Sequence, residues 1–133
     1  MTDKKKVKGT KKKSRRRTVK SGNAYIKATF NNTIITIADQ NGATLVQKSP
    51  AHVGFKGSKK STAFAATKAA IAAGEIANKK YGVNEVKVFI VGPGSGRNAA
   101  VKGLDSSGLR ITALVDRTSI PHNGCRPRKK PRK

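Results

Sequence analysis

Acidic residues are scarce in this chain. Six Asp and Glu stand against thirty Lys and Arg in 133 residues, a formal net charge of +24. A nuclease working through two metal ions needs several converging carboxylates, and Asp3, Asp39, Glu75, Glu85, Asp105 and Asp116 show no recognisable spacing of that kind. Only Asp39 and Asp116, at expected strand ends, could contribute to such a site. Cysteine is nearly absent too. Cys125 has no internal disulfide partner, which suits a reducing compartment. With His122 it supplies two ligands where a closed zinc site needs four, so no metal is expected. Tryptophan is missing, and there are two Tyr and four Phe, which argues against a protein that reads single strands mainly by stacking.

Long apolar runs are missing as well. The stretch 63–77 is broken by Thr67, Lys68, Gly74 and Glu75, well short of the ~20 apolar residues of a membrane span. A basic amphipathic membrane binder would need Trp, Phe or Leu on one face of a charged helix, and the basic ends of this chain hold none. No apolar run follows the N-terminal cations, so no secretory signal is expected. Composition excludes a transit peptide less readily, although the segment is Lys-rich rather than amphipathic.

What the chain does have is positive charge, concentrated at its ends. Residues 1–20 carry eleven basic residues and one acid, and residues 117–133 carry seven and none. That leaves twelve basic residues and five acids for residues 21–116, an ordinary balance for one small domain. Like charges at the density of the ends repel and bury nothing, so they read as arms that order on a polyanion. Nucleic acid is the obvious one, since each neutralised phosphate releases condensed counterions.

Between the arms the pattern is α/β. Ala24–Phe30 mixes β-branched and aromatic residues as a strand does, Asn31-Asn32 reads as a turn, and Thr33–Ala38 as a second strand. Asp39-Gln-Asn-Gly42 supplies the Asn-Gly pair suited to a tight hairpin, from which Thr44–Lys48 returns. Residues 49–60 read as a loop. Ser61 or Thr62 can cap a helix of strong helix formers that runs to Tyr81 and stops at Gly82. Phe64, Ile71 and Ile76, with alanines around them, are its expected apolar face. Glu85–Val91 is the strongest strand, 98–105 a short helix, and Leu109–Val115 a last strand with the same buried look. Parallel crossovers on a shared sheet follow. The expected fold is a single α/β domain: a mixed five-stranded sheet with two helices.

Two loops could hold anions. Gly92-Pro-Gly-Ser-Gly-Arg97 lies between a strand and a helix, where glycines let backbone amides approach a phosphate. It is not a Walker loop, because Arg97-Asn98 replace Gly-Lys-Ser/Thr, and the dinucleotide pattern would need Gly at position 97. No cofactor is therefore expected. A tight turn alone would explain the glycines; Arg97 beside them points to an RNA phosphate. Lys56, Lys59 and Lys60, with Ser58, Ser61 and Thr62, crowd the start of the long helix. A charge run is usually a solvated face, but hydroxyls and ammonium groups at a helix start favour phosphate. Phe55 beside them either plugs the core edge or stacks on a base.

Five blocks carry a resemblance: Phe30-Asn-Asn-Thr-Ile, Gly54-Phe-Lys-Gly-Ser-Lys-Lys-Ser-Thr62, Gly92-Pro-Gly-Ser-Gly-Arg97, Gly108-Leu-Arg-Ile-Thr112 and Ile120-Pro-His-Asn-Gly-Cys-Arg-Pro127. On them, Asn23 to Arg126 resembles the bacterial-type family of the eleventh protein of the small ribosomal subunit. The resemblance implies a ribonuclease H-like sheet without that enzyme's carboxylates, and no catalysis. It implies a structural role on the platform of the small subunit near the messenger exit region, supporting assembly and translation in the cytoplasmic ribosome rather than an organellar one. Small-subunit proteins seven and eighteen would be neighbours, with initiation factor three nearby and no membrane partner. The ribosomal RNA-facing positions would be Lys11, Lys12, Lys13, Arg15, Arg16 and Arg17 in the arm; Asn31 and Asn32; Phe55, Lys56, Gly57, Ser58, Lys59, Lys60, Ser61 and Thr62; Gly94 and Arg97; and His122, Asn123, Gly124, Cys125, Arg126, Arg128 and Lys129 in the tail. Asn98 and Arg128 depart from the family, which often has an acid and a proline there. A nonspecific nucleoid compactor would share the charge, but it would not explain two anion loops and a Pro-His-Asn-Gly-Cys tail on one domain.

Gly124 leaves the backbone nitrogen after Asn123 unhindered, so Asn123 is expected to cyclise and reopen to isoaspartate, adding a backbone carbon and a negative charge. Peptide mapping of aged protein should find isoaspartate at this position; intact asparagine throughout would refute the expectation.

Overall fold

A computed structural model describes residues 18–132. Side chains alternate along each inner strand, and the apolar set faces one way. In β1 (Ser21–Ala28), Gly22, Ala24, Ile26 and Ala28 are buried while Asn23, Tyr25 and Lys27 are not. β2 (Thr33–Asp39) buries Ile35 and Ile37, β3 (Thr44–Lys48) buries Val46, and β4 (Glu85–Val91) buries Val86, Val88 and Ile90. With β5 (Arg110–Asp116) these form one sheet in the order β3-β2-β1-β4-β5. The first three strands are an antiparallel meander; β1–β4 and β4–β5 are parallel. This is the mixed five-stranded, two-helix arrangement that the sequence implies.

The turns depart from expectation in instructive ways. β1 ends at Ala28, not Phe30, because Thr29 donates from both its amide and its hydroxyl to the carbonyl of Asn32, at 2.8 and 2.9 Å. Between β2 and β3 only Gly42 adopts positive φ (+92°). Its amide donates to Asp39 O, while the Asp39 amide donates to Ala43 O and one Asp39 carboxylate oxygen accepts from the amides of Asn41 and Ala43. The hairpin therefore closes through a longer loop ending in a left-handed glycine, rather than a two-residue Asn-Gly turn. The last strand is not buried like β4. β5 lies at the sheet edge and alternates half-buried with exposed, leaving Leu114 58% accessible.

Helix α1 (Ala63–Tyr81) starts at Thr62, whose hydroxyl accepts from the Ala65 amide, and ends at Gly82. There the amides of Gly82 and Val83 return to the carbonyls of Asn78 and Ala77, a Schellman closure with Val83 buried beneath it. Its buried face is Ala65, Ala66, Ala69, Ala70, Ala73, Gly74 and Ala77. The expected face holds for its alanines and for Ile76, which packs half-buried against the core, but not for Phe64, which is 63% exposed, and Ile71 is only half-buried. The sheet supplies the bulk, since each fully buried Ile or Val contributes about 1.5–3 kcal/mol against ~0.8 for an alanine methyl. Small residues instead let α1 come close to β2, β3 and the second helix, α2 (Arg97–Ser106).

Both helices cover the same face of the sheet and begin at the end where β1, β4 and β5 finish. The other end is tied by the Val19 amide donating to Tyr81 O and by the amides of Asn84 and Glu85 donating to Lys20 O. The chain thus enters β1 at one end and leaves β5 at the opposite one. The arm positions Lys11, Lys12, Lys13, Arg15, Arg16 and Arg17 lie outside the described residues.

Gly103 marks a close approach of the two helices: a Cβ there would sit 2.7 Å from both the Ala70 methyl and the Thr67 carbonyl oxygen. Alanine in a helix is worth about 1 kcal/mol over glycine, but overpacking costs about 1–3, and the Thr67 carbonyl belongs to a helix backbone that cannot swing aside. Gly103→Ala should therefore lower the thermal midpoint, by about 4–8 °C per kcal/mol lost. An unchanged or raised midpoint in calorimetry would show that α1 and α2 separate cheaply.

Candidate nucleic-acid interface

In open α/β sheets, ligands settle outside the carboxyl ends of the parallel strands. Here that end gathers the β1–β2 turn, the loop before α1, the loop after β4 and the root of the tail. The segment expected as a loop contains two one-turn 3-10 segments, Pro50–Val53 and Gly57–Ser61. Within it the Ser61 hydroxyl donates to Ser58 O and the Thr62 hydroxyl to Lys59 O, both at 2.8 Å. Those two side chains shape the loop from inside. Lys56, Ser58 and Lys59 remain exposed, and Lys60 is half-buried.

The two glycine-bearing loops touch. Ser95 donates its hydroxyl to Ser61 O at 2.7 Å, across 34 residues of sequence. Gly94 and Gly96 are buried, and a Cβ on either would strike the Thr29 carbonyl or the Thr33 and Ala66 side chains. The Gly94 amide is already spent on Ala28 O at 3.0 Å. These glycines permit close packing beneath the surface, and Gly94 supports the interface from below. Above them a groove of about 460 Å³ is lined by Asn31, Gly57, Ser58, Lys60 and Ser61. No acid lines it. Asn32 is turned inward on its own hairpin, its side-chain oxygen accepting from the Thr33 amide.

Arg97 is the hub of a second cluster. One guanidinium nitrogen donates to Gly92 O at 3.0 Å and another to Asp116 at 2.6 Å. The other Asp116 oxygen accepts from the Thr118 hydroxyl and amide, at 2.6 and 3.0 Å. The start of α2, the end of β5 and the root of the tail are thereby locked together. The acid that answers Arg97 is thus Asp116, 19 residues along the chain. Asp116 and Asp39 sit at opposite ends of the sheet, so they cannot share a metal ion. Among the described residues no group of three or more His, Cys, Asp or Glu is placed to hold one.

Phe55 is half-buried and meets Phe64 edge to face at 5.9 Å, while Lys68 sits over the Phe64 ring at 5.3 Å. Tail residues His122, Asn123, Gly124, Cys125, Arg126, Arg128 and Lys129 are exposed and make no contact with the groove that brings them into it. Asn123 has φ +58°, the one left-handed non-glycine among the described residues.

Sequence reasoning missed the exposed rings Phe30 and Phe64. It also missed the helix-free sheet face, where Tyr25 and Phe89 stack at 5.3 Å and Lys87 and Arg117 cover Phe89 at 5.3 and 5.1 Å. The period-two spacing of Lys87 with Phe89 and of Tyr25 with Lys27 was the available signal.

The family model described as "Ribosomal protein S11" matches residues 22–132. A curated relative, "Small ribosomal subunit protein uS11" of Protochlamydia amoebophila (strain UWE25), is 53% identical over 131 residues, covering 98% of this chain and 95% of its own length.

The Asp116 carboxyl is held well below the usual carboxylate range, first by the Thr118 hydroxyl and then by Arg97. A depressed folded value stabilises the fold fully above the unfolded value of about 3.9, and the contribution is lost as pH falls through the folded value. Asp116→Asn should melt below the parent at neutral pH, with the gap closing under strong acid. A gap that widens below pH ~4 would contradict this.

Proposed function

The chain belongs to the ribosomal protein S11 family, and from that premise we propose that it is a non-catalytic constituent of the small ribosomal subunit whose groove holds the backbone of small-subunit ribosomal RNA. One observation carries the reading. The positive end of the 19-residue helix α1 is preceded by Lys56, Lys59 and Lys60, and its first turn contains no acid. A helix start favours negative charge, so this arrangement repels itself until an anion arrives. α1 obeys the same rule at its other end, where Lys79 and Lys80 occupy the last turn.

In this reading the body, residues 21–116, docks through Asn31, Lys56, Ser58, Lys59 and Lys60. The arms, 1–20 and 117–133, neutralise phosphates and order on the RNA. Arg97 acts mainly as a strut for the tail. The protein sits on the platform of the cytoplasmic ribosome near the messenger exit region, beside small-subunit proteins seven and eighteen and close to initiation factor three, and it supports assembly and translation.

The test is a salt titration of the full chain against small-subunit ribosomal RNA and duplex DNA of equal length. The RNA should win at high salt. The Lys56→Ala, Lys59→Ala, Lys60→Ala variant should bind more weakly and lower the slope of log affinity on log salt by about 2–3, at about 0.7–0.9 per lost phosphate contact. Equal binding of both ligands, or an unchanged slope, would leave only a general polycation.

A further inference from the structure

Phe30 lies outside the core. The residue is 76% exposed, and no other ring or cation among the described residues packs on it. Yet the turn that carries it is held firmly. Thr29 bonds Asn32 O twice, the Asn32 amide donates back to the Thr29 hydroxyl at 3.1 Å, and the Thr33 amide donates to the Asn32 side chain at 2.9 Å. From below, Gly94 donates to Ala28 O. A large ring on a rigid turn is presented at little entropic cost.

Its setting decides what it is presented to. The next residue, Asn31, lines the groove together with Gly57, Ser58, Lys60 and Ser61. Thr29, Asn31 and Asn32 around it are polar. A protein contact would be expected to continue into apolar neighbours; a lone ring beside a cationic, hydroxyl-lined groove suits a nucleotide, whose base offers a π-face and whose phosphate offers the charge.

We propose that Phe30 is a stacking platform for one unpaired base of the RNA strand whose backbone lies in the groove lined by Asn31, Lys60 and their neighbours. The inference rests on reading that groove as an RNA site and adds a requirement: the strand must be unpaired at this point.

The chain contains no tryptophan, so Phe30→Trp introduces a single indole reporter in the full-length protein. Small-subunit ribosomal RNA should quench its fluorescence saturably while binding with parental affinity. Phe30→Ala and Phe30→Leu should each weaken binding roughly 5- to 150-fold, the range for loss of one base–aromatic stack, with the salt slope unchanged because no phosphate contact is lost. A fully paired RNA duplex should bind without quenching. If Phe30→Ala binds within about twofold of the parent while Lys60→Ala is impaired, stacking fails and the groove reading survives. If Phe30→Ala keeps RNA affinity but loses a neighbouring ribosomal protein in reconstitution, the ring is a protein contact and the proposal falls. If the RNA does not depend on Lys60 either, both readings fall together.

Discussion

A helix that buries only methyl groups and glycine can lie closer to its neighbours than one that buries leucine. α1 does this along its whole inner face, from Ala65 to Ala77, and Gly103 of α2 answers it where the two helices pack closely. Because the isoleucines and valines of the sheet, with Leu104 of α2, fill the core from the other side, α1 needs no bulk of its own. Both helix starts lie at one end of the sheet because the strands before them, β3 and β4, run the same way. There the Ser95 hydroxyl reaches Ser61 O, so that two loops far apart in sequence become one surface.

At that surface α1 breaks the charge rule that its other end obeys. Neither α1 nor α2 has an acid in its first turn, and both helix starts are flanked by cations, Lys60 for one and Arg97 for the other. Foldable sequences are locally consistent, and conflicts concentrate at functional sites. The two conflicts are resolved differently. Arg97 is answered internally by Asp116, while the lysines before α1 have no acid in the groove beside them.

Much of the fold was legible because it is local. Strand alternation, the Thr62 cap and the Gly82 stop depend on neighbours a few residues away. The inner face of α1 was misread because Phe64 is the more hydrophobic residue, yet alanines at the right spacing outcompete it for the close sheet contact, leaving Phe64 to pair with Phe55 outside. β5 looked buried because its composition matches β4, but edge or centre is set by topology, not composition. At the site, the lysines and Asn31 were visible, whereas the work of the glycines was not. Gly94 and Gly96 look like a phosphate cradle in sequence, and only the approach of Thr29, Thr33 and Ala66 shows that they make room for packing. The partner of Arg97 was likewise hidden, since Asp116 lies 19 residues away.

The chain enters at one end of the sheet and leaves at the other. β1 is paired to β4 and β4 to β5, all three running the same way. If both termini are gripped, tension enters at the head of β1 and exits at the foot of β5. The strands are then asked to slide past one another lengthwise rather than to peel apart at one edge. In sliding, the ladder bonds along each pair bear the load simultaneously; in peeling they would fail one after another. With Arg97, Asp116 and Thr118 fastening the exit and Lys20 fastening the entry, the body has the mechanics of a tie-rod between two anchorages.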